Sequence, residues 1–447
     1  MKLYFSILAL LSFVFASAQE LDSIPEVASQ KKVWTLEECL EYAVLNNITI
    51  KDAQYSKETS DVTYKQSKDN RLPNLSGSAS QSFTNGQSID PITSAFVNQQ
   101  IHSTSMGLNT SVTLFQGNQL NNQIQQNKLL VDQNSLYVEE AKNNIILSVT
   151  EAYLQALYAK EGIIVAEKNL EASTSEAETA KARFDAGSIA MQDYTDAVSQ
   201  EATNKYNLIS AKNSYAQQVI VIKQLLELTP TDTFDVVSPD TDNYTTPIIP
   251  NKLEIYNAAL GYLPEYKAAE LGTEVSEKEL DIAKGAYLPT LSLSGSLGSG
   301  YTSVQDLNFN DQINGNFNQR VGVTLTIPIF NRNQTKASVQ KAQIAIDQSE
   351  IQEQTVRKEI YQKIETAYQN AVATQEQLVA AEASSSAAAE SYKLAQKKYE
   401  LGALSATDLV ISQNTYTNAQ QNYLQAKYLN LLYTQLLEFY QGNDIKI

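Results

Sequence analysis

Carboxylates are the only side chains here whose number and spacing invite a chemical role. The sequence carries 50 Asp and Glu against 33 Lys and Arg, for a formal charge of −17. It has one histidine, His102, and one cysteine, Cys39. A single histidine leaves no multi-His metal site and little scope for imidazole catalysis. A single cysteine leaves no intramolecular disulfide and no cysteine cluster. Both read as packed or surface side chains. There is no nucleophile elbow, metal cluster or Gly-rich phosphate loop, so an enzyme reading has nothing to stand on. An acidic chain is a poor binder of phosphate backbone, which argues against nucleic acid as a partner. Three carboxylates stand at marked positions. Asp193 and Asp408 follow Gly187 and Gly402 at the same spacing, and Asp196 comes one turn after Asp193. Taken alone, they read as helix N-terminal aspartates favoured by the macrodipole.

The elements that position these residues are long. Val321, Val323, Leu325, Ile327 and Ile329 alternate with Gly322, Thr324, Thr326 and Pro328. That period of 2 predicts a strand over 321–330 with one apolar and one polar face. Asn331-Arg332-Asn333 and a polar, Ala- and Gln-rich stretch follow, without Gly or Pro until Gly402. A helix over 332–401 would be about 105 Å long at 1.5 Å per residue. Ordinary globular helices average about 11–12 residues.

The same unit occurs earlier. Leu114-Phe115 matches Ile329-Phe330, Ala152-Tyr153 matches Ala367-Tyr368, Phe184 matches Tyr399, Gly187 matches Gly402, and Asp193 matches Asp408, all at one constant offset. Leu72-Pro73-Asn74-Leu75 matches Leu288-Pro289-Thr290-Leu291 with one residue of difference. The chain therefore reads as two tandem repeats of helix, β-hairpin and long helical hairpin. The repeat overrides the domain count that 447 residues alone would suggest.

In chain order, Met1–Ala18 reads as a signal peptide, with Lys2, an apolar centre and an Ala16-Ser17-Ala18 cleavage site. The first repeat spans 19–228. A capping box at Thr35 to Glu38 opens a helix running to about Asn70, and Leu72-Pro73 ends it. Strands are expected at 75–83 and 104–114 around a polar loop. The first long helix covers 118–185, with Val138, Ala141, Ile145, Val149, Ala152, Ala156 and Ala159 as a small-residue coiled-coil seam. Gly187 ends it as a left-handed residue, and a helix returns to Leu228. Residues 229–250, rich in Pro, Thr and Asp, form the inter-repeat linker. The second repeat, 251–447, has a helix to Tyr287, strands at 290–301 and 321–330, the second long helix, and a return helix to about Tyr440.

Each strand has the length that crosses a bilayer at a tilt. The non-apolar faces are Ser, Thr, Asn and Gly, which suits a watery interior. Alternation alone fits a soluble sandwich equally well. If the strands do span a membrane, four are too few to close a barrel, for which roughly eight is the usual minimum. Copies must then pool strands, two giving eight and three giving twelve.

The duplicated motifs resemble those of the TolC-like outer membrane factor family, the efflux and type I secretion exit ducts of Gram-negative bacteria. They are the Leu72-Pro73 and Leu288-Pro289 strand starts and the strand ends Leu114-Phe115-Gln116-Gly117 and Ile327-Pro328-Ile329-Phe330-Asn331. The turns Arg183-Phe184-x-x-Gly187 and Lys398-Tyr399-x-x-Gly402 complete the set. The resemblance implies a mainly α fold with membrane β. It implies a homotrimer whose 12-stranded β-barrel, in outer membrane lipid, continues into a periplasmic α-helical barrel, with an equatorial region built from linker and tail. Pro73, Phe115, Pro289, Pro328 and Phe330 then mark strand–helix junctions. The helical turns imply a pore entrance ringed by Asp193, Asp196 and Asp408, and such rings favour cations. Ile411 stands where the second repeat would match Asp196, a departure from the family pattern. Gly187, Ser188, Gly402 and Ala403 fall at the tips where a periplasmic adaptor (membrane fusion) protein docks. An inner membrane RND or ABC pump is implied as the energy source, with passive conduction, no cofactor and no enzymatic step. The alternative from another class is a periplasmic coiled-coil adaptor or structural protein.

Overall fold

The computed structural model describes residues 33–89, 96–238 and 248–445. The signal-peptide expectation and part of the linker lie outside the described residues.

The chain begins with a short strand, β1 (Val33–Trp34), and two helices, α1 (Leu36–Asn46) and α2 (Ile48–Asp69). The capping box forms as the sequence indicates. The Glu38 N–H donates to Thr35 Oγ1 at 3.2 Å, and the Thr35 N–H donates to Glu38 Oε2 at 3.0 Å. The single helix expected to Asn70 is broken, however. Asn47 adopts an extended backbone, φ −60° and ψ 132°, and restarts the chain as the N-cap of α2. Its Oδ1 accepts from the Thr49 N–H at 2.8 Å, and its Nδ2 donates to the Leu225 carbonyl at 2.9 Å. An Asn that satisfies two sets of backbone groups offsets the lost helical bonds.

The second half has the matching break. Helices α5 (Lys252–Tyr262) and α6 (Pro264–Gly285) meet at Leu263, where ψ is 126°. Pro264 disfavours a helical residue before it and is well placed at a first helical position.

The strands of the first half are β2 (Asn74–Ile89) and β3 (Phe96–Gln116), both longer than the expected 75–83 and 104–114. Most of the expected polar loop is strand, because backbone pairing needs no apolar side chains. The linker supplies β4 (Asp235–Val236), which pairs in parallel with β1. The second half adds β5 (Thr290–Thr302), a short helix α7 (Phe309–Gly315) and β6 (Asn318–Thr326). The strand expected to reach Phe330 stops at Thr326. Pro328 has no N–H to give a ladder, and the chain is already leaving the sheet.

The four long strands form one antiparallel sheet in the order β2-β3-β5-β6. Its register keeps two distinct faces. Ala79 pairs with Met106, Leu108 with Leu297, Val112 with Leu293, Leu293 with Val323, and Leu291 with Leu325. The opposite face holds Ser76 against Asn109, Ser80 against Ser105, Ser296 against Arg320 and Ser292 against Thr324. A bulge between Thr113 and Phe115 leaves Leu114 unpaired and returns Phe115 to the apolar face beside Leu291. Above the Ser103–Thr302 rung and the 2.8 Å bond from the Ser303 N–H to the His102 carbonyl, β2 and β3 continue as a two-stranded ribbon. The lone His102 meets the Phe83 ring edge-on there, at 4.9 Å.

The two long helices are α3 (Gln119–Asp185) and α8 (Gln334–Glu400), each of 67 residues, or about 100 Å. Each begins after two consecutive left-handed residues, Gly117-Asn118 in one half and Arg332-Asn333 in the other. Their return helices are α4 (Met191–Leu225) and α9 (Ala406–Tyr440), 35 residues each. The seam residues Val138, Ile145, Val149, Ala152 and Ala156 are buried. The main core lies at mid-height, where Trp34, Cys39, Ile50, Val149, Leu157, Ile222, Leu226 and Val236 pack together. A second core joins Ile255, Leu263, Ile360, Ile364, Ala371 and Leu437.

Candidate functional site

The marked glycines act as the spacing predicts. Gly187 and Gly402 have φ of 69° and 72°. At the first tip the Gly187 N–H donates to the Phe184 carbonyl at 2.8 Å, and the Ser188 N–H to that of Arg183 at 2.9 Å. At the second, Gly402 donates to Tyr399 at 3.0 Å and Ala403 to Lys398 at 2.8 Å. Both helices thus end in the same Schellman closure, in which a left-handed residue satisfies the last carbonyls. Ser188 adds a bond from its Oγ to the Arg183 carbonyl at 2.8 Å. Gly187, Ser188 and Gly402 are joined at the apex by Ala403, which is exposed.

Asp193 and Asp408 each stand in the first turn of a return helix. Their settings differ. Asp408 takes part in a reciprocal cap. Its N–H donates to Ser405 Oγ at 3.1 Å, and its Oδ2 accepts from the same hydroxyl at 2.8 Å. Helix α4 starts at Ala190 without any side-chain cap. Asp193 instead lies within electrostatic reach of Tyr399. Asp196 follows on the same helix, half-buried, whereas Ile411 is exposed.

Arg183 is the residue that the sequence underrated. From the last turn of α3 it crosses to α8. It donates through Nη1 to the Tyr399 carbonyl at 3.0 Å and through Nη2 to the Glu400 carbonyl at 2.7 Å. Its guanidinium carbon lies 5.2 Å from the centre of the Tyr399 ring. A fixed cation thereby covers the electronegative C-terminus of a neighbouring helix. Burial pushes the Tyr399 phenol up; Arg183 opposes that shift, and Glu176 and Asp193 add to it. Two turns higher, Tyr392 donates to Glu176 Oε1 at 3.2 Å, and Tyr392 stacks on Tyr416 at 5.6 Å. Burial raises the Glu176 carboxyl above its ordinary range, while bonds from Tyr392 and Gln396 pull it back. The first tip is further closed by Phe184 stacked on Tyr194 at 5.7 Å.

The junction residues lie at the opposite end of the long helices. Pro73 and Pro289 immediately precede β2 and β5. Phe115 sits past the bulge in β3. Pro328 and Phe330 follow the end of β6, and Phe330 is exposed. Gly117 and Gly285 touch backbone to backbone there. A Cβ on Gly117 would fall 2.1 Å from the Gly285 oxygen. The apolar face of the sheet is open, with Leu75 75% and Val321 80% exposed. No helix of the described residues is long and apolar enough to cross a membrane, a statement that does not bear on strands. Among the described residues no group of His, Cys, Asp and Glu is arranged to hold a metal ion.

Residues 40–227 and 255–441 match the model of the family described as outer membrane efflux protein. The outer membrane protein TolC of Escherichia coli is 22% identical over 307 residues, 66% of this chain and 60% of that protein's own length. The outer membrane efflux protein BepC of Brucella suis is 23% identical over 332 residues, 72% of this chain and 70% of BepC. Among solved structures, CusC superposes with a TM-score of 0.78 at 16% identity, covering 95% of this chain and 96% of that one. The fold is therefore mainly α, shared with that channel.

Proposed function

The chain belongs to the outer membrane efflux protein family, and on that premise we propose that it is the outer membrane exit duct of a tripartite efflux or type I secretion system. It sits in the cell outer membrane with its helices in the periplasm. It passively conducts substrates handed over by a periplasmic adaptor and an inner membrane RND or ABC pump.

The observation that carries the reading is the sheet. One face is apolar and exposed, the other is lined by hydroxyl and amide groups, and the outer edges of β2 and β6 are unpaired among the described residues. Hydrocarbon does not tolerate unpaired edges, so the sheet needs other copies of itself. Three copies give a closed barrel of twelve strands, and three sets of paired long helices continue its lumen. The two repeats are 19–228 and 251–447, with 229–250 as an equatorial connection. Exposed Ile344 and Ile351, and again Val372 and Val379, stand a heptad apart on α8 and supply two apolar patches for helices of the next copy.

In this reading the tips form the periplasmic entrance. Asp193 and Asp196 line it and favour cations. Asp408 contributes chiefly through its cap, with Ile411 leaving the second tip less acidic. Gly187, Ser188, Gly402 and Ala403 present the docking surface for the adaptor.

The test is assembly and conductance. Protein extracted from outer membranes in detergent is expected to run as a heat-modifiable trimer and to give single-channel steps in planar bilayers. A water-soluble monomer in the periplasmic fraction would instead support the coiled-coil adaptor reading.

A further inference from the structure

The four strands of the sheet contain a single Asp, Glu, Lys or Arg, and it is Arg320. This is unusual in a chain whose formal charge is −17. Arg320 lies on the hydroxyl face. It pairs directly with Ser296, which pairs with Asn109, which pairs with Ser76, so one rung crosses the whole sheet with polar side chains. Its neighbours along β6 on that face are Asn318 and Gly322, and diagonally on β5 they are Ser294 and Gly298. These residues are small, and the guanidinium stands exposed above them. No carboxylate of the described residues forms an ion pair with it. Asp306 and Asp311 lie past the end of β5, and Asp311 is held at the start of α7 by two bonds with Asn308, of 2.9 and 2.6 Å.

We propose that Arg320 is a specificity-determining residue of the sheet-lined part of the duct, where it selects for anionic cargo bearing carboxylate or phosphate groups. The inference rests on the exit-duct reading. In a closed barrel the hydroxyl face lines the lumen, and each copy contributes one guanidinium at the same height. A ring of fixed cations on an otherwise uncharged wall concentrates anions and repels cations. Guanidinium is always charged and binds carboxylate and phosphate through paired donors, and Ser296 and Asn109 extend the donor set along the rung. The duct then carries opposite signs at its two ends, aspartate at the helical tips and arginine in the barrel.

The experiment is a reversal-potential measurement in planar bilayers under a KCl gradient. Wild type is compared with Arg320→Lys, Arg320→Gln and Arg320→Glu. The Lys variant is expected to keep the wild-type chloride-to-potassium permeability ratio. Gln is expected to lower it about twofold and Glu further. A variant that alters charge only after assembly guards against misfolding. Arg320→Cys trimers are treated in the bilayer with a cationic or an anionic methanethiosulfonate reagent, and Cys39, being buried, stays silent. The anionic product is expected to be the less chloride-permeable. Equal ratios for the two adducts, or for Arg and Gln, would overturn the assignment while leaving the duct intact. Wild-type protein that neither trimerises nor conducts would overturn the duct reading and the assignment with it.

Discussion

At the scale of the residue, the tips concentrate the decisive contacts. Arg183 spans from one helical hairpin to the other and makes two charge-assisted bonds to carbonyls, each worth about 1.5–3 kcal/mol. Arg183→Ala is expected to loosen the second tip and raise single-channel conductance. Arg183→Lys should restore it in part, since one ammonium cannot reach both carbonyls in the same fork. Asp193→Ala is expected to weaken block by added divalent cations more than Asp408→Ala, because the Asp408 carboxylate is already held by Ser405. Identical losses for both would contradict the asymmetry. Glu176 gives a pH test. Burial raises its carboxyl in the folded state, so folding favours the protonated form. That contribution is full below the ordinary carboxylate range near 4.5 and is lost as pH rises through the raised value. Glu176→Gln is accordingly expected to raise the Tm at pH 7.5 and to have little effect at pH 4, read by thermal denaturation at both values. Asp193 and Asp408 were legible from their distance to the glycines. The difference between them was not, because it depends on whether residue 190 or 405 can cap a helix, and Ala190 cannot where Ser405 can.

At the scale of the element, lengths follow from what each segment lacks. The long helices were visible because neither Gly nor Pro interrupts 332–401 and because the terminal glycines stand at matching places. The strand limits were harder to read. Polar Ser, Thr and Asn on both faces hide a strand from any pattern based on apolar contrast, so β2 and β3 extend well past the apolar alternation. Pro328 failed to stop the expected strand on paper because the alternation runs through it, yet its missing N–H decides the matter. The break at Asn47 is faint in the sequence, since Asn is a favoured N-cap but nothing local shows its second bond, to the Leu225 carbonyl on another helix. Asn47→Ala is expected to cost about 1–2 kcal/mol of stability through the lost cap alone, measured in detergent by chemical denaturation. Gly117→Ala should be more severe. Its φ of 55° disfavours a side chain and its Cβ would meet Gly285. Loss of assembled trimer on an unheated gel is the expected outcome.

At the scale of the whole molecule, the sheet and the helices both leave apolar faces exposed in the single chain, and the proposed duct covers them with further copies. The ribbon above the Ser103–Thr302 rung stands apart from that arrangement, since neither β5 nor β6 reaches it. Replacing 84–101 with a two-residue turn is therefore expected to leave trimer yield and conductance near wild type. Collapse of either would mean that the ribbon seals the barrel. The interrupted companions of the long helices have a mechanical consequence. Helices α3 and α8 run unbroken from sheet to tip, while α4 hands over to α2 through the Asn47 amide, the bond from the Ile48 N–H to Glu227 and the packing of Ile50 in one core with Ile222 and Leu226. On the other side α9 ends where Tyr262 of α5 packs on Phe439. A torque applied at the tips is thus carried upward by two continuous backbone-bonded shafts, whereas between their interrupted partners it must cross side-chain bonds and core packing.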